Sequence, residues 1–312
     1  MRLSVITPVY NRSDCILRCL ESVTRQNGCG TDIEHIVVDD GSTDGTADII
    51  REYAASHNHV KPMFFDKNRG TNAARNVAIS TAVGDYCVLL DSDDYFVDNA
   101  AETIFNTIDG SLCYRCYMFA IGYRSDEFDR VIGPGCIIEY DYSDALTGRV
   151  HGDYVHVISR DLLREYPFDE GLRIYEGLIM KQIYRHAGNM LFINTVLTVV
   201  DRGRNDGASL LTVRVSRDAI KRQMLASVRE IELFGEDYMK YGADSKLDNH
   251  YFLVADNALL LGDYTTASRY IPYVKNRIRR NMLRVIMSLR LSNVYRKALY
   301  VFLKMKYHKA EV

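Results

Sequence analysis

Apolar positions in the first third of the chain fall into short β-branched runs separated by stretches with helical spacing. "LSVITPVY" (Leu3 to Tyr10) is a near-continuous apolar run closed by a proline, the pattern of a strand buried on both faces. Asn11 to Asp14 offer turn and cap residues, and Ile16, Leu17, Leu20 and Val23 follow at helical spacing. Ile33 to Asp40 and Val60 to Asp66 predict a second and a third strand, with a helix between them through Ile49, Ile50 and Tyr53. The alanine-rich stretch "TNAARNVAISTAVGD" predicts a helix that Gly84 stops as a C-terminal glycine, and Tyr86 to Leu90 predicts a fourth strand. Strand and helix therefore alternate as βαβαβαβ, which implies a mostly parallel sheet with right-handed crossovers and helices on its faces.

The middle of the chain, about Leu112 to Val200, is less regular. "GPG" at Gly133 to Gly135 separates two apolar runs, Tyr154 to Leu163 reads as a strand entering a helix, and Leu191 to Gly203 reads as a further strand. Beyond Ser216 the spacing turns helical, in Ile220 to Phe234, Tyr251 to Leu261 and Tyr264 to Val274, and then in a basic amphipathic end. Two domains are expected: an α/β domain over 1–211 and a helical C-terminal extension over 212–312.

Composition adds limits. Of 312 residues, 47% are hydrophobic and 26% charged, which is ordinary for a globular protein with a full core. No apolar run approaches the roughly 20 residues that a spanning helix needs, and the short apolar start reads directly into a strand, so a secretory leader is not expected. Seven scattered cysteines fit a reducing cytoplasm better than a disulfide framework. The Cys113/Cys116 pair has no second pair nearby and reads as ordinary thiols rather than a metal site. Net charge is −2, but it is unevenly spread. From Pro272 onward eleven Lys and Arg face one acid, Glu311, a balance of +10, and the remainder carries 28 against 40, or −12. With Met282, Leu283, Ile286, Leu289 and Leu291 among the cations, this end reads as an interfacial helix on an anionic membrane surface rather than a nucleic-acid binder.

Ligands of such sheets bind at the carboxyl ends of the strands. Three polar clusters sit there: "TPVYN", "VDDGS" and "LDSDD". Three carboxylates in four residues, Asp91, Asp93 and Asp94, repel one another unless a cation lies between them. Mg2+ or Mn2+ would relieve that repulsion and leave coordination sites for phosphate oxygens, whereas the bland alternative is a helix cap. Asp39 and Asp40 suit ribose hydroxyls or a base N–H, or else a plain turn. Neither GxGxxG after the first strand nor GxxxxGK[ST] anywhere is present, which disfavours a dinucleotide oxidoreductase and a P-loop enzyme.

"VITPVYNR", "VVDDGSTDGT", "NRGTNAARN" and "GDYCVLLDSDD", in this order, resemble the inverting nucleotide-sugar glycosyltransferases of family 2, whose fold is called GT-A. The likeness is close from Leu3 to about Phe96, loose to about Leu211 and absent beyond. It implies a metal-dependent transfer of a hexosyl or N-acetylhexosaminyl group from a nucleotide sugar, commonly UDP-linked, to a hydroxyl of a polysaccharide or lipid-linked acceptor. It implies further that Pro8, Tyr10 and Asp40 hold the nucleotide base with Asp39 beside them, and that Arg75 faces the nucleotide or its diphosphate. Asp91 and Asp93 match the DxD motif and would meet the ribose and the metal-bound diphosphate, with Asp93 and Asp94 as metal ligands for Mn2+ or Mg2+. The family's acidic pair that supplies the base reads Glu176-Gly177 here, so Glu176 is the expected base, with Asp169 and Glu170 as further candidates. Glycine at 177 also motivates a rival, a non-catalytic nucleotide-sugar-binding protein. "RGRNDGAS" resembles the family's mobile loop, where Arg204 would close on the diphosphate or simply stand in solvent. His151 and His156 read as packed histidines or ligands. The expected place is the cytoplasm, peripheral at the inner face of the cytoplasmic membrane.

Overall fold

The computed structural model describes residues 1–28, 32–110, 114–123, 135–149, 154–172, 175–200 and 216–308, with the side chains of 303–308 excepted. Cys113, Gly133, His151 and Arg204 lie outside the described residues. The chain forms two compact units, Met1–Arg204 and Asn205–Val312, and their boundary falls within 201–215, outside the described residues.

The first unit is built on one nine-stranded sheet. Its elements are β1 (Arg2–Val9), α1 (Ile16–Thr24), β2 (Asp32–Asp39), α2 (Thr46–Ser56), β3 (Val60–Phe64), α3 (Thr71–Thr81), β4 (Tyr86–Leu89), β5 (Tyr95–Phe96), α4 (Ala100–Gly110), β6 (Cys116–Tyr123), β7 (Ile137–Tyr140), α5 (Tyr142–Thr147), β8 (Tyr154–Ser159), α6 (Arg160–Glu165), α7 (Glu176–Ala187) and β9 (Met190–Val200). Strand order is β3-β2-β1-β4-β8-β6-β9-β5, with β7 also beside β9. The four strands β1 to β4 are parallel, as the alternation predicts. The second half adds antiparallel strands to this mostly parallel sheet. β8 runs antiparallel to both β4 and β6, β5 and β7 run antiparallel to β9, and only β6 and β9 pair in parallel. Apolar runs encode a strand's burial but not its direction, which the irregular middle connections set.

The central strands earn their place by composition. Every residue of β1 from Leu3 to Val9 is buried, as is every residue of β2 from Ile33 to Asp39. Leu3, Val5, Val37 and Val88 of the sheet pack with Ile16 and Leu20 of α1, Ile50 of α2 and Ile104 of α4 in one core. Gly84 has a different role from the one its position implies. The helix has already ended, at Thr81, and Gly84 lies against β1, where a Cβ would sit 2.6 Å from the Ser4 amide nitrogen and from Ser4 Oγ. Buried Glu34 completes this contact: its Oε1 accepts from Ser4 Oγ at 2.5 Å and from the Val83 amide at 2.7 Å. The need for glycine here is close approach, not a left-handed turn.

The second unit is helical: α8 (Arg217–Lys240), α9 (Asp244–Leu261), α10 (Tyr264–Tyr270), a 3-10 turn (Ile271–Tyr273), α11 (Arg277–Ser288) and α12 (Ser292–His308). It has its own core of Ala255, Ala258, Leu259, Ala267, Ile271, Val274, Leu283 and Ile286. Side chains cap its helices: Ser216 accepts from the Ala219 amide, Asp263 from Thr266 and Asn276 from Arg279, each satisfying an orphan first-turn donor.

Candidate active site

The site begins where β1, β2 and β4 end together. Asn11, just past β1, adopts a left-handed φ of 51°, which asparagine tolerates better than most residues. Its side-chain oxygen accepts from the Thr43 amide at 2.8 Å, and its own N–H donates to Ser42 Oγ at 2.9 Å. The Arg12 amide donates to Thr46 Oγ1 and the Ser13 amide to Asp44 Oδ2, so the loops after β1 and β2 are tied into one wall. Burial works to raise the Asp44 pKa, but the Thr46 hydroxyl and the Ser13 and Thr46 amides outweigh it and bring the carboxyl down to about 2.

The two aspartates that end β2 face different ways. Asp39 is buried and accepts from the Ser42 amide at 3.2 Å through Oδ2, while its Oδ1 has no hydrogen-bond partner among the described residues. Asp40, also buried, accepts from the Arg69 amide at 2.6 Å and the Gly70 amide at 2.8 Å. Gly70 has φ of 101°, a conformation that suits glycine, and α3 begins one residue later. Asp40 thus pins the start of the helix that carries Arg75.

Arg75 is the centre of the arrangement. Its side chain is only 3% exposed, and its Nη2 donates to Asp91 Oδ1 at 2.8 Å while its Nη1 pairs with Glu176 Oε1. The two carboxylates are 55% and 47% exposed, so one buried cation bridges two groups that face open space. Burial works against the charged guanidinium, and the Asp91 and Glu176 carboxylates more than offset it, so the Arg75 pKa lies above its ordinary value. Phe168 lies under the guanidinium, 5.5 Å from ring centre to the Arg75 Cζ. The acidic turn itself is braced from α1. Arg18 Nη2 donates to the Asp93 carbonyl at 2.8 Å, the Asp94 amide closes onto the Asp91 carbonyl at 3.0 Å, and Arg12 Nη2 stands 3.7 Å from Asp93 Oδ2.

Two cavities meet at this bridge. One, of about 590 Å3, is lined by Pro8, Tyr10, Arg12, Asp40, Thr71, Ser92 and Asp93. The other, of about 560 Å3, is walled by Asp94 and by the rings of Tyr154, His156, Phe168 and Tyr184, with Lys181 beside them. Arg75, Asp91, Glu176 and Gly177 line both. Glu176 is the first residue of α7, where a carboxylate is favoured by the helix dipole. In the second cavity His156 Nε2 and the Tyr184 hydroxyl share a hydrogen bond of 2.6 Å, and burial pushes the imidazole down to about 4. Burial also raises the Tyr184 hydroxyl well above its ordinary value.

Of the residues picked from the sequence, Pro8, Tyr10, Asp40, Arg75, Asp91, Asp93 and Glu176 gather around the first cavity, and Asp94 lines the second. Asp39 does not line either cavity. The other acidic candidates also stand apart from both. Asp169 uses Oδ1 to accept from the Gly171 amide at 2.8 Å, and Glu170 pairs with Arg69 at 3.5 Å. Among the described residues no three His, Cys, Asp or Glu side chains converge as a ready ion site. Sequence reading assigned no role to Arg12, Tyr154, Lys181 or Tyr184. Arg12 stood inside a quoted motif, but the others come from β8 and α7, and only folding brings them to the bridge.

The chain is similar to known proteins over much of its length. The model of "Glycosyl transferase family 2" matches residues 4–146. Glycosyltransferase GlyG of Streptococcus pneumoniae is 28% identical over 219 residues, 64% of this chain and 70% of that protein. The GalNAc(5)-diNAcBac-PP-undecaprenol beta-1,3-glucosyltransferase of Campylobacter jejuni is 26% identical over 271 residues, 82% of this chain and 84% of its own. Two larger relatives are matched over only 17% and 16% of their lengths. The crystal structure of S. aureus TarS 1–349 in complex with UDP-GlcNAc superimposes with a TM-score of 0.66 at 19% identity, covering 95% of this chain and 90% of that one, and establishes the fold as that of a GT-A glycosyltransferase. Residues 4–146 thus match the model of glycosyl transferase family 2, and the relatives named above are glycosyltransferases.

Proposed function

We propose that the protein transfers a sugar from a nucleotide sugar, UDP-linked in the first instance, to a hydroxyl of a polysaccharide or lipid-linked acceptor at an anionic membrane surface, with inversion at the anomeric carbon. The observation that carries this reading is that Arg75, Asp91, Glu176 and Gly177 line both cavities. One cavity, with Pro8, Tyr10 and Asp40 at its base-binding end and Asp91 and Asp93 at its diphosphate end, takes the donor. The ring-walled cavity takes sugar, whose C–H faces pack on aromatic side chains while its hydroxyls find polar partners. The anomeric carbon then lies where the two spaces join.

Glu176 has the chemistry and the place for the base. Its carboxylate accepts the proton of the attacking hydroxyl, the hydroxyl oxygen bonds to the anomeric carbon from the face opposite the diphosphate, and the nucleoside diphosphate leaves with the bonding pair. Arg75 orients that carboxylate, since a guanidinium held by burial fixes the partners of both its terminal nitrogens. The carboxylates of Asp91 and Asp93 at the cavity wall are hard oxygen donors that fit Mn2+ or Mg2+, with Asp94 adjoining. Such an ion, when bound, would neutralise charge on the departing diphosphate. The complex of TarS with UDP-GlcNAc and the undecaprenol-linked acceptor named for the Campylobacter enzyme support the donor and acceptor classes. A binding protein with a degenerate base site is not favoured, because Glu176 stands at the junction despite Gly177.

The test is a screen of UDP- and GDP-sugars with Mn2+ for nucleoside diphosphate release, run beside Asp93→Ala. Release that depends on acceptor and on Asp93 is expected. A nucleotide that binds equally well with a chelator present and with Asp91 and Asp93 both replaced by alanine would sink the reading.

A further inference from the structure

Helix α11 is apolar on two faces, and only one of them is used by the fold. Leu283 and Ile286 are buried in the core of the helical unit. Ile278, Met282, Val285 and, just past the helix end, Leu289 follow one another in steps of four, three and four residues, and so form one stripe. All four are exposed, Ile278 at 82% and Leu289 at 63%. Arg277 and Arg284 border the stripe on one side, while Arg279 on the other turns to α9, where its Nη1 donates to Asn249 Oδ1 at 3.1 Å. The helix that follows continues in the same character, with exposed Val294, Tyr300, Val301 and Phe302 beside Arg296 and Lys297. Arg296 and Lys297 also edge a cavity of about 390 Å3 that is otherwise lined by Ile220, Leu260, Leu299, Tyr300 and Val301.

We infer that this face of α11 lies in the headgroup layer of an anionic bilayer, with Ile278, Met282, Val285 and Leu289 in the acyl boundary and the arginines on the lipid phosphates. Charge complementarity selects this occupant: from Lys275 on, eleven cations stand against one acid. A second copy would bring the same positive charge to the same face. Nucleic acid would use the cations and leave the apolar stripe in water. No helix among the described residues is long and apolar enough to cross a membrane, which leaves an in-plane helix as the mode of contact. The inference rests on the lipid-linked or surface acceptor proposed above only for its purpose; its test does not need turnover.

The full chain is sedimented with vesicles of phosphatidylglycerol and phosphatidylcholine in equal parts, and with phosphatidylcholine alone, at low and high salt. The double variants Ile278→Ser with Val285→Ser and Arg277→Gln with Arg284→Gln are run beside it, since these changes sit on the solvent face. Salt-sensitive binding to the anionic vesicles is expected, weakened about tenfold or more in each double variant. Nucleoside diphosphate release on a water-soluble acceptor should be unchanged in both, so a failed transfer reading and a failed lipid reading look different. Equal binding to neutral vesicles, unchanged binding of both variants, release from vesicles by added RNA, or a solution dimer that the serine variant dissolves would each overturn the inference.

Discussion

Replacing Glu176 by glutamine removes the proposed base while keeping its size. The amide can still accept from Arg75, and Arg75 keeps Asp91 as its charged partner, so the bridge persists in part. Because the Glu176 side chain is 47% exposed, the lost ion pair is screened, and a stability change of no more than about 1 kcal/mol is expected. A general base contributes about 10²- to 10⁴-fold to the rate, which corresponds to about 2.7 to 5.5 kcal/mol of barrier. Turnover at saturating donor and acceptor should therefore fall by that factor, while UDP affinity measured by calorimetry moves by less than about threefold, since the base-binding end does not touch Glu176. Gly177 supplies a second arm. A Cβ there would meet no atom within 4 Å, so Gly177→Asp places a carboxylate at the same junction without a clash. In the Glu176→Gln background it should restore turnover by at least about tenfold. Glu176→Gln that turns over within about threefold of wild type would refute the assignment and send the search to Asp169 and Glu170.

Arg75→Lys should cost about a hundredfold or more in turnover, because one ammonium cannot span two carboxylates that the guanidinium holds on separate nitrogens; an activity within about threefold of wild type would contradict this. Gly84→Ala should destabilise by about 1 to 3 kcal/mol in urea denaturation, since its methyl would press on the Ser4 amide and hydroxyl, and a loss under about 0.5 kcal/mol would mean that β1 yields there. Stability should fall as pH drops below about 6.5, because burial lowers His35 to about 3 and His156 to about 4, so the unfolded chain takes up protons that the folded one refuses. Each histidine adds a slope of up to about 1.4 kcal/mol per pH unit between its unfolded and folded pKa values, so the loss begins as pH falls through the unfolded value and is complete once pH passes below the folded one. Urea titrations of His35→Gln should show the shallower slope, and an unchanged slope would exclude His35 as a contributor.

The first half of the fold was readable because each strand there is a short apolar run whose C-terminal end carries its polar cluster, as in "VVDD" and "LLDSDD". Burial and chemistry are then adjacent in sequence. The direction of β8 was not readable, since Val155 and Val157 look the same whichever way the strand runs. The same limit hid the ring-walled cavity: Tyr154 comes from β8, Tyr184 from α7 and Phe168 from the loop between α6 and α7, and no spacing rule links them. Arg75 was singled out through its motif, but its bridge to Glu176, 101 residues on, is a product of tertiary packing. Gly84 shows how one residue type can mislead: at the end of a helical run it looks like a stop signal, whereas backbone proximity to β1 is what demands it.

The nucleotide contact proposed for Asp40 leaves little room for exchanging the base. Both of its carboxylate oxygens hold the backbone just ahead of α3, so whatever they offer a ligand is offered by atoms already bearing on the helix that carries Arg75. A substitution made there to admit a different base would loosen the helix start and let the bridging guanidinium drift. On the function proposed above, donor preference and catalytic alignment are mechanically linked at this position. Variants with new nucleotide tastes should arise more readily at Tyr10 or Arg12, whose side chains can be altered without unseating α3.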